Sequence, residues 1–116
     1  MIKQFKNKFA VAFQGLFQGI KTDPSIQLQS GLAAVTVLFF LILKINWVEW
    51  LFVLSAVFLV LITEFLNSAL EDFSDLIECK YNLKVKSIKD TAAAAVLLAA
   101  FYAVSVAVTI ILRRWL

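Results

Sequence analysis

Apolar positions recur along the first segment at intervals of three and four: Ile2, Phe5, Phe9, Phe13, Leu16, Phe17 and Ile20. Lys3, Lys6, Lys8, Gln14, Gln18 and Lys21 lie mostly off that stripe. This period, with lysines opposite the phenylalanines, predicts an amphipathic surface helix over 1–22 lying in a membrane interface. A helix packed on a partner protein is the alternative. "TDPS" at 22–25 ends it, because Pro24 cannot continue a helix. Three apolar stretches follow. No charge occurs between Asp23 and Lys44, and "GLAAVTVLFFLIL" at 31–43 is the most apolar part. "KINWVEW" connects to the second stretch, with Trp47 and Trp50 placed for an interfacial belt. "ECKYNLKVKSIKD" at 78–90 is polar and basic, and Thr91 to Leu112 is again free of charge. A bilayer core needs about 20 helical residues, so spans are expected near 28–44, 48–66 and 91–112. The expected fold is an all-α integral membrane protein, one domain over 1–116, with a surface helix and three transmembrane helices.

Composition supports the membrane reading: 62% of residues are hydrophobic, 16% are charged, and mean hydropathy is +0.89. With one cysteine, Cys79, and no histidine, a metal site must use carboxylates. That favours a hard ion such as Mg²⁺. The net charge of +3 fits a membrane-surface bias and gives no nucleic-acid signal. The N-terminus lacks the compact apolar region and cleavage site of a signal peptide. Lys3, Lys6, Lys8 and Lys21 precede the first span, and Lys80, Lys84, Lys86 and Lys89 lie in the 78–90 loop. The first loop has only Lys44. The N-terminus and the 78–90 loop are therefore expected to be cytoplasmic, with Arg113 and Arg114 opposing this weakly. Ala95, Ala99, Ala103 and Ala107 repeat every four residues and offer a close-packing face. Three spans enclose little, so an oligomer is expected.

The second apolar run ends in "TEFLNSALEDFSDL", 63–76. Glu64, Asn67, Glu71 and Asp75 are offset by three, seven and eleven positions and share one helix face. Ser68 and Glu78 flank them, and Asp72 points elsewhere. Like charges on one face need a cation opposite. The stripe is either the solvated end of the helix, a partner for lysines such as Lys89, or a site for metal and nucleotide. In the last case carboxylates hold Mg²⁺ on the phosphates of ATP, Lys89 neutralises phosphate charge, and a boundary carboxylate deprotonates a lipid hydroxyl. The usual glycine-rich phosphate loops are missing, and the Gly15–Gly19 pair is weak evidence for any site.

"EFLNSALEDFSDL", followed by "KDTAAAAVLLAA", resembles the prokaryotic diacylglycerol kinase family, which includes undecaprenol kinases. The family pattern is roughly E-x-x-N-[ST]-A-[IL]-E-x-x-x-D, then K-D-x-[AG]-[AS]-[AG]-A-V. "AFQGLFQGIKTD" is similar to its N-terminal segment, so the resemblance covers almost the whole chain. It implies a homotrimer in the bacterial cytoplasmic (inner) membrane, with sites between subunits. It implies transfer of the ATP γ-phosphate to a membrane lipid alcohol, either diacylglycerol or undecaprenol. By the same resemblance Glu64 is the general base, Glu71 and Asp23 are metal ligands, and Asn67 is an active-site amide. Asp23, Asn67, Glu71, Asp75, Lys89 and Asp90 together match nucleotide-binding positions. The family has Glu where Asp23 stands, and Pro24, Ser25, Gln27 and Gln29 replace its polar and basic run. "KDTAAAAV" is closer to the undecaprenol kinase branch. Other readings are an inactive structural relative and an ion pathway. A pathway needs more polar groups than Ser55 and Thr63 between Trp50 and Thr63.

Overall fold

The computed structural model describes residues 1–77, 80 and 82–116. Among them four helices run in order: α1 (Ile2–Thr22), α2 (Pro24–Leu43), α3 (Trp47–Ile77) and α4 (Leu83–Trp115). No strand occurs among the described residues. α2, α3 and α4 are each long and apolar enough to cross a membrane. α3 continues as helix past Leu66 to Ile77. Residues 83–90, expected as loop, instead form the first turns of α4. Their charges lower the local hydropathy, but Asn82 caps them: its Oδ1 accepts from the Lys84 and Val85 N–H groups at 2.8 and 3.4 Å. Glu78, expected beside the polar stripe, and Cys79 lie outside the described residues.

α3 and α4 form the main packing pair. Flanked by half-buried Ala100, Ala107 and Ile111, a line of shielded positions runs along α4 at Val85, Lys89, Ala92, Val96, Ala99, Ala103, Val106 and Ile110. They alternate four and three residues apart, a period of 3.5. On α3, Glu49, Val53, Ala56, Val60, Thr63 and Asn67 follow the same alternation. A 3.5-residue repeat keeps both helices facing each other over many turns, and small residues let the backbones approach in lipid. Of the expected alanine face, Ala99 is buried and Ala103 and Ala107 are half-buried, while Ala95 is exposed. Midway along the seam the Ser55 and Tyr102 hydroxyls meet at 3.0 Å.

α2 packs on α3, and α1 on α2. The α1–α2 corner is made by the residues that depart from the family pattern. Asp23 caps α2, with Pro24 in the first helical position, where its missing N–H costs nothing. Gln27 Nε2 donates to the Lys21 carbonyl at 2.9 Å and closes the end of α1. Gly19 permits the close approach here, since a Cβ on it would lie 2.5 Å from the Phe65 ring.

The end of the bundle away from this corner is clasped by Arg114. Its Nη2 donates to the Leu43 and Lys44 carbonyls, both at 2.6 Å. These belong to the α2 C-terminus, where Lys44 adopts a left-handed conformation with φ 60°. That conformation costs a non-glycine residue about 1–2 kcal/mol. Asn46 and Glu49 cap α3 reciprocally: Glu49 N donates to Asn46 Oδ1 at 2.9 Å, and Asn46 N to Glu49 Oε1 at 3.1 Å. Glu49 is buried, with Arg113 and Arg114 nitrogens each 3.9 Å from its carboxylate. Arg114→Ala is expected to destabilise the protein by about 1.5–3 kcal/mol, the scale for hydrogen bonds from a charged donor. Arg113→Ala, at a side chain 69% exposed, should change stability by less than about 0.5 kcal/mol. Denaturant unfolding in detergent micelles measures both.

Candidate active site

Glu64, Asn67 and Ser68 are buried on α3 at the end of the bundle where α2 begins. Glu64 is only 5% exposed, a rare setting for a carboxylate. It makes no side-chain hydrogen bond or salt bridge among the described residues. Its electrostatic neighbours are two more carboxylates, Asp23 and Glu71. Asn67 Nδ2 donates to Glu71 Oε1 at 3.2 Å, which turns the Asn67 carbonyl oxygen inward. That oxygen is buried and has no hydrogen-bond partner among the described residues. An orphaned acceptor beside clustered carboxylates is an arrangement that a donor or cation completes.

Asp23 does two jobs. Its Oδ1 accepts from the Ser25 and Ile26 N–H groups at 2.9 and 3.2 Å. Burial raises its pKa, but the Ser68 hydroxyl and the Ile26 and Ser25 N–H groups outweigh this and hold the carboxyl below its ordinary 3.8. The expected stripe is thus brought together at Glu64, Asn67 and Glu71, with Asp23 joining from the α1–α2 corner. Ser68 belongs with them as the hydroxyl beside Asp23. Its place on the buried side of α3, one position past Asn67, was the available signal.

The outer members are arranged differently. Lys89 sits on the α4 side of the seam and donates to Asp75 Oδ1 at 2.6 Å. The pairing of the stripe with Lys89 therefore holds at Asp75, while Glu64 keeps no such cation. Asp90 leaves the cluster and pairs with Lys86 at 2.6 Å on an exposed face of α4. Asp72 is exposed, as expected.

Among the described residues no three acidic side chains form a cage for a metal ion. Mg²⁺ bound with nucleotide phosphates needs only one or two protein carboxylates, the rest of its shell coming from phosphate and water. Asp23 and Glu71, with the orphaned Asn67 oxygen nearby, are a donor set of hard oxygens that fits such an ion.

The sequence model described as "Prokaryotic diacylglycerol kinase" matches residues 10–111. The chain belongs to the prokaryotic diacylglycerol kinase family. A curated relative, the undecaprenol kinase of Bacillus subtilis (strain 168), is 26% identical over 95 residues, covering 82% of this chain and 77% of the relative. Family and helices together make this a multi-pass membrane protein of a lipid kinase family.

The cap at Asp23 has an acid signature. Because its folded-state pKa is lowered, its contribution is in place above the ordinary 3.8 and is lost as the pH falls through the folded value. Asp23→Ala should cost about 1 kcal/mol at neutral pH. Asp23→Asn should keep the cap yet lose less stability than the parent below about pH 4. Unfolding midpoints across an acid series check both outcomes.

Proposed function

We propose that the protein is an ATP- and Mg²⁺-dependent kinase that phosphorylates a membrane lipid alcohol. The observation that carries this reading is Glu64: a buried carboxylate without an ion-pair partner among the described residues, at the end of a membrane helix, in a chain of this family. A lipid hydroxyl reaches this level of the bilayer, and nucleotide comes from the aqueous side. Glu64 accepts the hydroxyl proton as the lipid oxygen attacks the γ-phosphorus. The bond from that phosphorus to the β–γ bridging oxygen breaks, and ADP leaves. Glu71 and Asp23 hold Mg²⁺, which would neutralise phosphate charge. Asn67 orients Glu71 through its hydrogen bond. Lys89 and Asp75 bind the nucleotide as a pair, and Asp90 contributes at the same end from α4.

Undecaprenol is the favoured substrate over diacylglycerol, on the "KDTAAAAV" segment and the undecaprenol kinase relative. The protein works as a homotrimer in the bacterial inner membrane, with α1 lying as an amphipathic helix at the cytoplasmic surface. The N-terminus and the connection before α4 face the cytoplasm, where ATP is available.

The test is transfer of labelled phosphate from ATP in mixed micelles, with undecaprenol and diacylglycerol offered in parallel. Glu64→Gln should lower turnover by at least about a hundredfold, the scale of general-base loss, and leave the unfolding midpoint in place. Lys89→Ala breaks an ion pair with an exposed partner worth at most about 1 kcal/mol to stability. It should raise the KM for ATP far more than it lowers the midpoint. Equal turnover by Glu64→Gln and parent would sink the assigned role of Glu64.

A further inference from the structure

Arg113 and Arg114 run against the lysine bias, since the lysines of α1 and of the first turns of α4 lie towards the opposite end of the bundle. Two arginines at the clasped end therefore need a local reason. Arg114 has one, because its guanidinium holds the Leu43 and Lys44 carbonyls. Arg113 has no such task. Its Nη1 lies 3.9 Å from Glu49 Oε2, beyond hydrogen-bond reach, and its side chain is largely exposed. It makes no hydrogen bond among the described residues. Lys44 is exposed too, and forms no salt bridge among the described residues. Three cationic side chains thus share one carboxylate, Glu49, whose Oε1 is already engaged by the Asn46 N–H. The surplus is positive.

The depth of that surplus identifies what meets it. The uncharged run Thr91–Leu112 spans about 33 Å at about 1.5 Å per residue, close to the ~30 Å of bilayer hydrocarbon. With Asp90 near one boundary, Arg113 falls near the other. All the tryptophans, Trp47, Trp50 and Trp115, lie at this same end. Trp47 and Trp115 are 74% and 67% exposed, and indoles settle at the headgroup level. A free guanidinium at that level faces lipid phosphate, whose oxygens accept its parallel N–H donors in pairs. A zwitterionic headgroup brings its own cation and leaves the surplus in place. A headgroup whose phosphate is its only charge neutralises it.

We infer that the clasped end binds an anionic phospholipid headgroup in the leaflet opposite Glu64, with Arg113 as its principal ligand and Lys44 as a second cation. Labour is divided between adjacent residues. Arg114 and Glu49 hold the helix ends together, and Arg113 is left for the lipid. The site lies at the other end of the bundle from the candidate base, so it does not rest on the kinase reading.

The tryptophans report on this end alone, and the test needs no label on the protein. The full chain is placed in bilayers containing acyl-brominated phosphatidylglycerol or acyl-brominated phosphatidylcholine at matched mole fractions. Quenching of tryptophan fluorescence then gives the relative affinity of this end for the two lipids. The parent should prefer phosphatidylglycerol by roughly tenfold or more. Arg113→Ala should lower that preference about fivefold, the scale of one basic side chain beside an anionic headgroup. Lys44→Gln should lower it by a smaller factor. The unfolding midpoint of Arg113→Ala in detergent free of anionic lipid should stay in place, which separates a lost ligand from a lost fold. Direct contact with phosphate is weakly screened, so part of the preference should persist in about 0.5 M NaCl. Equal quenching of the parent by both lipids overturns the inference, as does a preference unchanged in Arg113→Ala. A preference erased by salt also overturns it, because attraction is then diffuse. Tryptophans quenched by neither lipid overturn it as well, because a second copy then covers this end.

Discussion

The seam between α3 and α4 is the contact on which the other parts of the bundle depend. Alternating steps of four and three keep one line of residues facing one line for most of two long helices. In lipid there is little hydrophobic gain from bringing helices together, so close van der Waals contact must do the joining. Ala56, Ala92 and Ala99, all buried, permit that closeness. With these two helices aligned, Arg114 reaches the ends of α2 and α3, and Lys89 meets Asp75. Between the α1 corner and the Arg114 clasp, α2 then leans on α3, which leaves the space beside α4 open.

Charge is distributed unequally between the two ends. At the clasped end the buried carboxylate, Glu49, has its cap and two arginines. At the other end the single seam lysine goes to Asp75, and Asp23, Glu64 and Glu71 share one neighbourhood. A buried charge near like charges is costly unless something neutralises it. One end has its counter-charge built in, and the other leaves it to be supplied. Structural ion pairing explains the first; the second is what a site for a cation and a polyanion requires.

Much of this was legible in the sequence. The helix break at "TDPS", the three apolar segments and the shared face of Glu64, Asn67 and Glu71 follow from residue type and period alone. The resemblance carried the family. Where hydropathy served as the guide to helix ends, it misled. Residues 83–90 read as loop because charged side chains lower the average, whereas Asn82 and the seam position of Lys89 keep that stretch helical. The Arg114 clasp was hidden because it joins residues 71 apart and depends on helix alignment. Gly19 looked like half of a weak motif. Its use is the approach to Phe65, a contact invisible along the chain. Asp23 was legible as an acidic residue at a turn, but its capping hydrogen bonds needed the corner itself.

The clasp also bears on how the protein is made. Synthesis delivers the α2–α3 turn well before Arg114 exists. Until α4 is complete, the Leu43 and Lys44 carbonyls lack their donor and Lys44 holds its left-handed turn unaided. The last turn of α4 therefore acts as a latch that closes on an older hairpin. Assembly of this bundle is ordered in time, with its far side secured only once α4 has been made.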